Sequence, residues 1–175
     1  MMFINAFEIE INRANVRNAQ IRLRDLWDAQ KERKNHHFYQ ALCETVMWID
    51  ISNEWFFKND EDFKDARMND SVVIEEESVT YKDLICGIKF IFNTIKHNMD
   101  ITNISKTDFK ELGNNLYLEK IIFLPVNEIE VDEKYKNKEP YKAYVKYLQN
   151  KTVLEVLTPA VHFLNHYFNV NKNKE

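Results

Sequence analysis

Lys89, Asn93 and His97 fall four residues apart in the run TYKDLICGIKFIFNTIKHNMD, and on a helix that spacing stacks them along one face. A carboxamide beside an imidazole can hydrogen-bond a phosphate or a ribose hydroxyl, imidazoles as a class exchange protons near neutral pH, and lysine adds positive charge. The bland counterpart is a histidine favoured at a helix C-terminus by the helix dipole. His162 and His166 stand one turn apart, a spacing that lets two imidazoles share a zinc ion. No HExxH surrounds them, and further ligands such as His36 or His37 would have to be brought in by the fold, so no metal and no cofactor is expected. Arg13, Arg17, Arg24 and Lys31 make a third set, a row of cations that can grip RNA phosphates or a partner's carboxylates. The same row also serves solubility and pairing with Asp25 or Asp28.

Helices must position these groups. From Phe3 to about Glu32, Ile4, Phe7, Ile11, Ala14 and Ile21 recur at helical spacing, with Ile9, Val16, Leu23 and Leu26 widening the stripe. After a break near Lys34 and Asn35, a second helix carries Phe38, Leu42, Thr45, Ile49 and Phe56. It is apolar over much of its circumference, which predicts a central helix. Trp48, Trp55, Phe56, Phe57 and Tyr39 sit at core spacing, although the adjacent Phe56 and Phe57 cannot both face one interior. Residues 58–78 show no sustained period and are expected to form an acidic connecting loop with room for a short helical or extended piece.

Thr80, with Asp83 three residues on, is an N-cap for the third long helix, whose core stripe is Leu84, Ile88, Ile91 and Ile95. Gly87 inside that helix costs about 1 kcal/mol relative to Ala and points to close packing against another helix. An extended segment, either a strand pair or a crossover, is expected near 116–131. Pro140 fits the first turn of a following helix with Tyr141, Tyr144 and Leu148 on its sticky face. The last helix carries Val153, Val156, Leu157, Ala160, Val161, Leu164 and Phe168, with Pro159 either kinking it or marking its first turn. Residues 170–175 read as a frayed tail.

The 175 residues contain 2 Gly and 3 Pro, too few for the many tight turns of a sandwich or barrel. The expected fold is therefore an all-α multi-helix bundle in a single domain, 1–175. Cys43 and Cys86 lie far apart within apolar helical patterns and read as buried thiols, which suits a reducing cytoplasm. No run approaches the roughly 18 apolar residues of a membrane span, and the first residues lack the features of a secretory signal. The formal net charge is -4, but residues 13–34 hold seven bases and three acids, net +4, whereas 60–83 hold nine acids and three bases, net -6. A local basic face is compatible with the acidic total. No Gly-rich phosphate loop, CxxC pair or GxSxG elbow is present.

The segment GIKFIFNTIKHNMDI resembles the signature helix of HEPN-type proteins, in which a hydrophobic helix carries an Arg, usually followed by a polar residue, and a His four to six residues beyond the Arg. YKAYVKYLQNKTVLEVLTPAVHFL is similar to the closing helices of bacterial HEPN-like proteins. Together these stretches cover about 40 residues. The resemblance maps the polar residue to Asn93 and the histidine to His97. Active members are metal-independent ribonucleases that use Arg and His across a homodimer interface to drive attack of the ribose 2′-hydroxyl on the adjacent phosphate. Here Phe92 stands where the Arg would, and Lys89 lies a turn earlier. Loss of that cation removes an electrostatic contribution commonly worth several kcal/mol. The resemblance thus implies a homodimer that binds RNA, a nucleotide or a protein partner without cleaving. The rival expectations are a ribonuclease using Lys89, Asn93 and His97, with an arginine of the first helix as another replacement cation, and an antitoxin or phage-related inhibitor acting through protein contacts.

Overall fold

The computed structural model describes residues 6–32, 35–97, 100–109 and 116–172, with side chains described for 10–32, 36–97, 100–103 and 120–168. The chain is an all-α multi-helix bundle to which two small antiparallel hairpins are attached. Helix α1 (Ala6–Lys31) and helix α2 (Asn35–Asn59) form an αα-hairpin, tied across by Arg22 and Glu44 at 2.5 Å.

Only one side of the broad stripe expected on α1 is buried. Val16, Ala19, Leu23, Leu26 and Ala29 are buried, whereas Ile11 and Ile21 are each 44% exposed. Arg17 and Arg24 share the face of Ala14 and Ile21, so turning that face inward would bury guanidinium groups at high cost. The side chains of Ile4, Phe7 and Ile9 lie outside the described residues. Helix α2 is central, as its broad apolar surface predicts, and touches α1, α4 and α7. Phe56 is 3% exposed and Phe57 is 40% exposed, so the two neighbours do face different surroundings.

Residues 58–78 are more ordered than a connecting loop. The end of α2 is followed by helix α3 (Glu61–Asn69), where Asp60 accepts a 3.0 Å hydrogen bond from the backbone N–H of Phe63. The fully buried Phe63 ring anchors this helix on Phe56 and Tyr81. Its acids face solvent, which is why the composition resembles a loop. Strands β1 (Ser71–Ile74) and β2 (Glu77–Thr80) then pair antiparallel, with Ile74 opposite Glu77. Both tip residues have positive φ, 46° at Glu75 and 72° at Glu76. That conformation normally calls for Asn or Gly.

An external contact holds this tip. Glu75 Oε1 accepts a 3.1 Å bond from the backbone N–H of Thr152, and its other oxygen lies 3.2 Å from Lys151 Nζ. The contact ties the hairpin to the start of helix α7 (Val153–Lys172), whose N-terminal N–H groups favour a carboxylate.

Helix α4 (Tyr81–Lys96) starts at Thr80, whose hydroxyl accepts from the N–H of Asp83 at 3.1 Å. Leu84, Ile88, Ile91 and Ile95 are buried, together with Ile85 and Phe90. Strands β3 (Thr102–Phe109) and β4 (Leu116–Phe123) pair antiparallel, so the extended segment expected near 116–131 is a strand followed by a 3-10 turn at Val126–Glu128. Helices α5 (Glu133–Lys136) and α6 (Glu139–Ala143) are short, and α6 widens into a π turn over Tyr144–Leu148. Pro140 occupies the first turn of α6, where its missing N–H is harmless. Pro159 lies inside α7, which continues through Lys172 into the stretch expected to fray. Residues 173–175 lie outside the described residues.

Buried side chains from these elements form one hydrophobic core. Tyr144 is fully buried and donates a 2.6 Å hydrogen bond to the carbonyl of Leu124. Beside it, a methyl group added at Gly87 would collide with Leu148, whose Cγ would be 2.9 Å away, and would meet the Tyr144 backbone nitrogen at 3.4 Å.

Gly87→Ala is therefore expected to destabilise the protein by up to about 2 kcal/mol, because overpacking of about 1–3 kcal/mol opposes a helix-propensity gain of about 1. Chemical denaturation would check the sign; an unchanged or raised midpoint would contradict the tight fit. Burial opposes the charge on Glu75, but a proton shared with the Glu155 carboxyl, the Thr152 backbone N–H and the Lys151 ammonium more than offset it, so its carboxyl lies below the usual range. Its contribution is present above the ordinary glutamate pKa and is lost as pH falls through the depressed value. Glu75→Gln should lower the melting temperature at neutral pH, with the gap narrowing on acidification below pH ~4.5.

Candidate functional site

The C-terminal half of α4 forms one wall of an open cleft of about 570 Å³. Asn93 and His97, both exposed, point from this wall, while the opposite side is built from residues 130–141. The volume lies within the range of small-ligand sites. The fold sets the walls in place through Phe90, which meets Tyr141 edge-on at 5.7 Å and Tyr144 at 4.7 Å between ring centroids.

Lys89 does not join them. Its Nζ lies 3.0 Å from Glu54 Oε1 on α2, outside the cleft lining. Burial pulls the lysine pKa down, but the hydrogen bond it donates to Glu54 and the charges of Asp50 and Glu54 more than reverse this, leaving a paired cation. Asp50, beside this pair, has a raised pKa because burial outweighs the attraction of Lys89. Phe92, at the position where the HEPN resemblance implies an Arg, packs against the core and carries Lys96 Nζ at 4.1 Å above its ring. The expected helical alignment therefore holds for Asn93 and His97, while the first lysine serves the α2–α4 seam.

Other cations line the cleft. Lys134 and Lys138 come from the segment leading into α6, facing the acids Glu130 and Asp132. Lys134 Nζ lies 2.8 Å from Asp132 Oδ2, and the hydrogen bonds from Lys134 hold the Asp132 carboxyl below the usual range. Lys138 is exposed and forms no ion pair with a described residue. Sequence reading missed both lysines because they lie in an irregular stretch with no helical period to relate them to His97. Their only sequence signal is their density near Tyr135 and Tyr141.

The α1 row divides into different environments. Arg13 pairs with Glu10 at 2.5 Å and places its guanidinium 5.1 Å from the Phe168 ring centroid. Arg17 and Arg24 are exposed, and Lys31 lies 6.0 Å from the Trp27 ring centroid. None of the described α1 residues lines the Asn93–His97 cleft, so Arg13, Arg17, Arg24 and Lys31 lie apart from it. His162 and His166 are exposed on α7, and His36 and His37 are exposed near the start of α2. Among the described residues no group of three or more His, Cys, Asp or Glu side chains has the arrangement to hold a metal. Cys43 and Cys86 are free and half-buried, and burial raises both thiol pKa values, which makes them poor nucleophiles.

One polar feature had no sequence signal. Asn12 and Asn53 are each 1% exposed, and neither carboxamide finds a protein hydrogen-bond partner; the Ser52 hydroxyl is likewise buried and unpartnered. Such groups cost about 1–3 kcal/mol each when left unsatisfied. Asn12 occupies the buried face of α1, where periodicity alone predicts an apolar residue. No described helix is long and apolar enough to cross a membrane. No protein-family model, curated protein or solved structure gives a significant match to this chain.

Proposed function

We propose that this protein is a non-catalytic, HEPN-like helical protein that binds RNA or a nucleotide in the cleft bearing Asn93 and His97. The observation that carries the reading is the meeting of these two polar side chains with aromatic walls and nearby lysines in one open cleft. Asn93 offers both a donor and an acceptor, His97 adds a second polar contact, and the Phe90–Tyr141 wall suits a planar base. The non-catalytic part follows from charge. Phe92 stands where the resemblance implies an Arg, Lys89 is held by Glu54, and among the described residues no arginine lines the cleft. A developing charge on an attacked phosphate would therefore lack the dedicated cation of the ribonuclease arrangement.

A protein-partner reading has its own observation. On α1, Ile11 and Ile21 are each 44% exposed and Trp27 is 45% exposed, near exposed Arg17 and Arg24. Such a mixed apolar and cationic helix fits a homodimer contact or an antitoxin-type partner.

The test is incubation with mixed single-stranded and structured RNA in EDTA, using wild type, Asn93→Ala and His97→Ala and reading retention and cleavage on a gel. The expected result is retention without cleavage, weakened at least about tenfold in either variant, as suits loss of a buried polar contact. Cleavage abolished by His97→Ala would replace this reading with a ribonuclease. Neither cleavage nor retention would put the protein-partner reading first.

A further inference from the structure

Charge balance in the cleft restricts the ligand further, on the basis of the binding reading above. Lys134 is already neutralised by Asp132 at 2.8 Å. Lys96 lies over Phe92, and Lys89 is bound to Glu54. Lys138 is the lining lysine without an ion pair among the described residues, while Glu130 remains as an exposed acid on the same side. Formally, Lys134 and Lys138 balance Glu130 and Asp132. With the Lys134–Asp132 pair set aside, one ammonium and one carboxylate remain, a balance that suits one anionic group better than a succession of them.

We infer that Lys138 anchors a single terminal phosphate monoester on a nucleoside, with Asn93 and His97 holding its polar edge or ribose and the Phe90–Tyr141 wall receiving its base. The shared chemistry comes from two sources, a free nucleoside monophosphate and the 5′-phosphorylated end of an RNA. An internal stretch of RNA fits less well, because its successive phosphates would meet Glu130 and find no second unpaired lysine in the described lining. Lys138 thus determines specificity from outside α4. Its side chain caps no helix and makes no ion pair with a described residue, so removing its charge leaves the fold's described contacts in place.

The experiment is equilibrium titration with adenosine 5′-monophosphate, adenosine, and one short single-stranded RNA bearing either a 5′-phosphate or a 5′-hydroxyl. Wild type, Lys138→Ala, Lys138→Arg, Asn93→Ala and His97→Ala are compared, with melting temperatures confirming that each variant folds. The expected result is that either phosphate-bearing probe binds at least about tenfold tighter than its phosphate-free counterpart, the scale of one charge-assisted contact. Lys138→Ala should erase that preference without changing adenosine affinity, Lys138→Arg should restore it, and Asn93→Ala and His97→Ala should weaken all bound probes. Preference for the phosphorylated RNA alone would identify an RNA end as the source, and preference for the mononucleotide alone would identify the free ligand. RNA binding that depends on Asn93 and His97 but ignores both the 5′-phosphate and Lys138 would overturn this inference while preserving the binding reading. Failure of every probe to bind, or binding indifferent to Asn93 and His97, would overturn both.

Discussion

The approach of α4 to the segment that follows Pro140 is the constraint on which much of the structure depends. Gly87 admits the Leu148 side chain where any larger residue would force it away. Next to this point, Tyr144 bonds the Leu124 carbonyl and packs against Phe90. A glycine in the middle of a helix lowers local propensity, but here it leaves the space that the Leu148 side chain fills between the two elements. The Asn93–His97 cleft opens further along the same seam, as α4 and the chain before α6 diverge. Close packing at one end and accessible volume at the other thus arise from the same pair of elements.

Much of the fold was legible because its signals were local and mutually consistent. Thr80 with Asp83 marked a start that the backbone adopts, and the α4 stripe is buried as its period requires. Gly87 announced close packing, while Pro140 marked the opening of α6. Reading failed where two patterns competed or the usual chemistry was missing. On α1 the apolar stripe is broader than the face that is buried, and the distinction lies in the guanidinium groups of Arg17 and Arg24 that share its Ala14–Ile21 side. In residues 58–78, a helix held by one buried aromatic and a hairpin with two glutamates at its tip had little periodicity and no Asn-Gly turn.

The candidate site was legible only in part, for a related reason. Asn93 and His97 share a helix, so their proximity follows from counting residues. Lys134 and Lys138 reach the cleft through an irregular crossing that spacing cannot foresee, and Lys89 is drawn aside by a partner 35 positions earlier. The α1 arginines form a visible row, yet their helix lies outside the cleft lining. Sequence order relates groups well within an element and poorly between elements, where ion pairs and tertiary packing decide which cation is available.

The contact from Glu75 to Thr152 spans 77 positions. It closes a long loop for a carboxylate interaction, whereas the α1–α2 hairpin closes over a few residues and can gather early. Closing so long a loop costs more chain entropy than closing the hairpin. Weakening it should accelerate unfolding more than it slows folding. The acidic tip therefore acts as a long-range tie between the middle of the chain and its last helix.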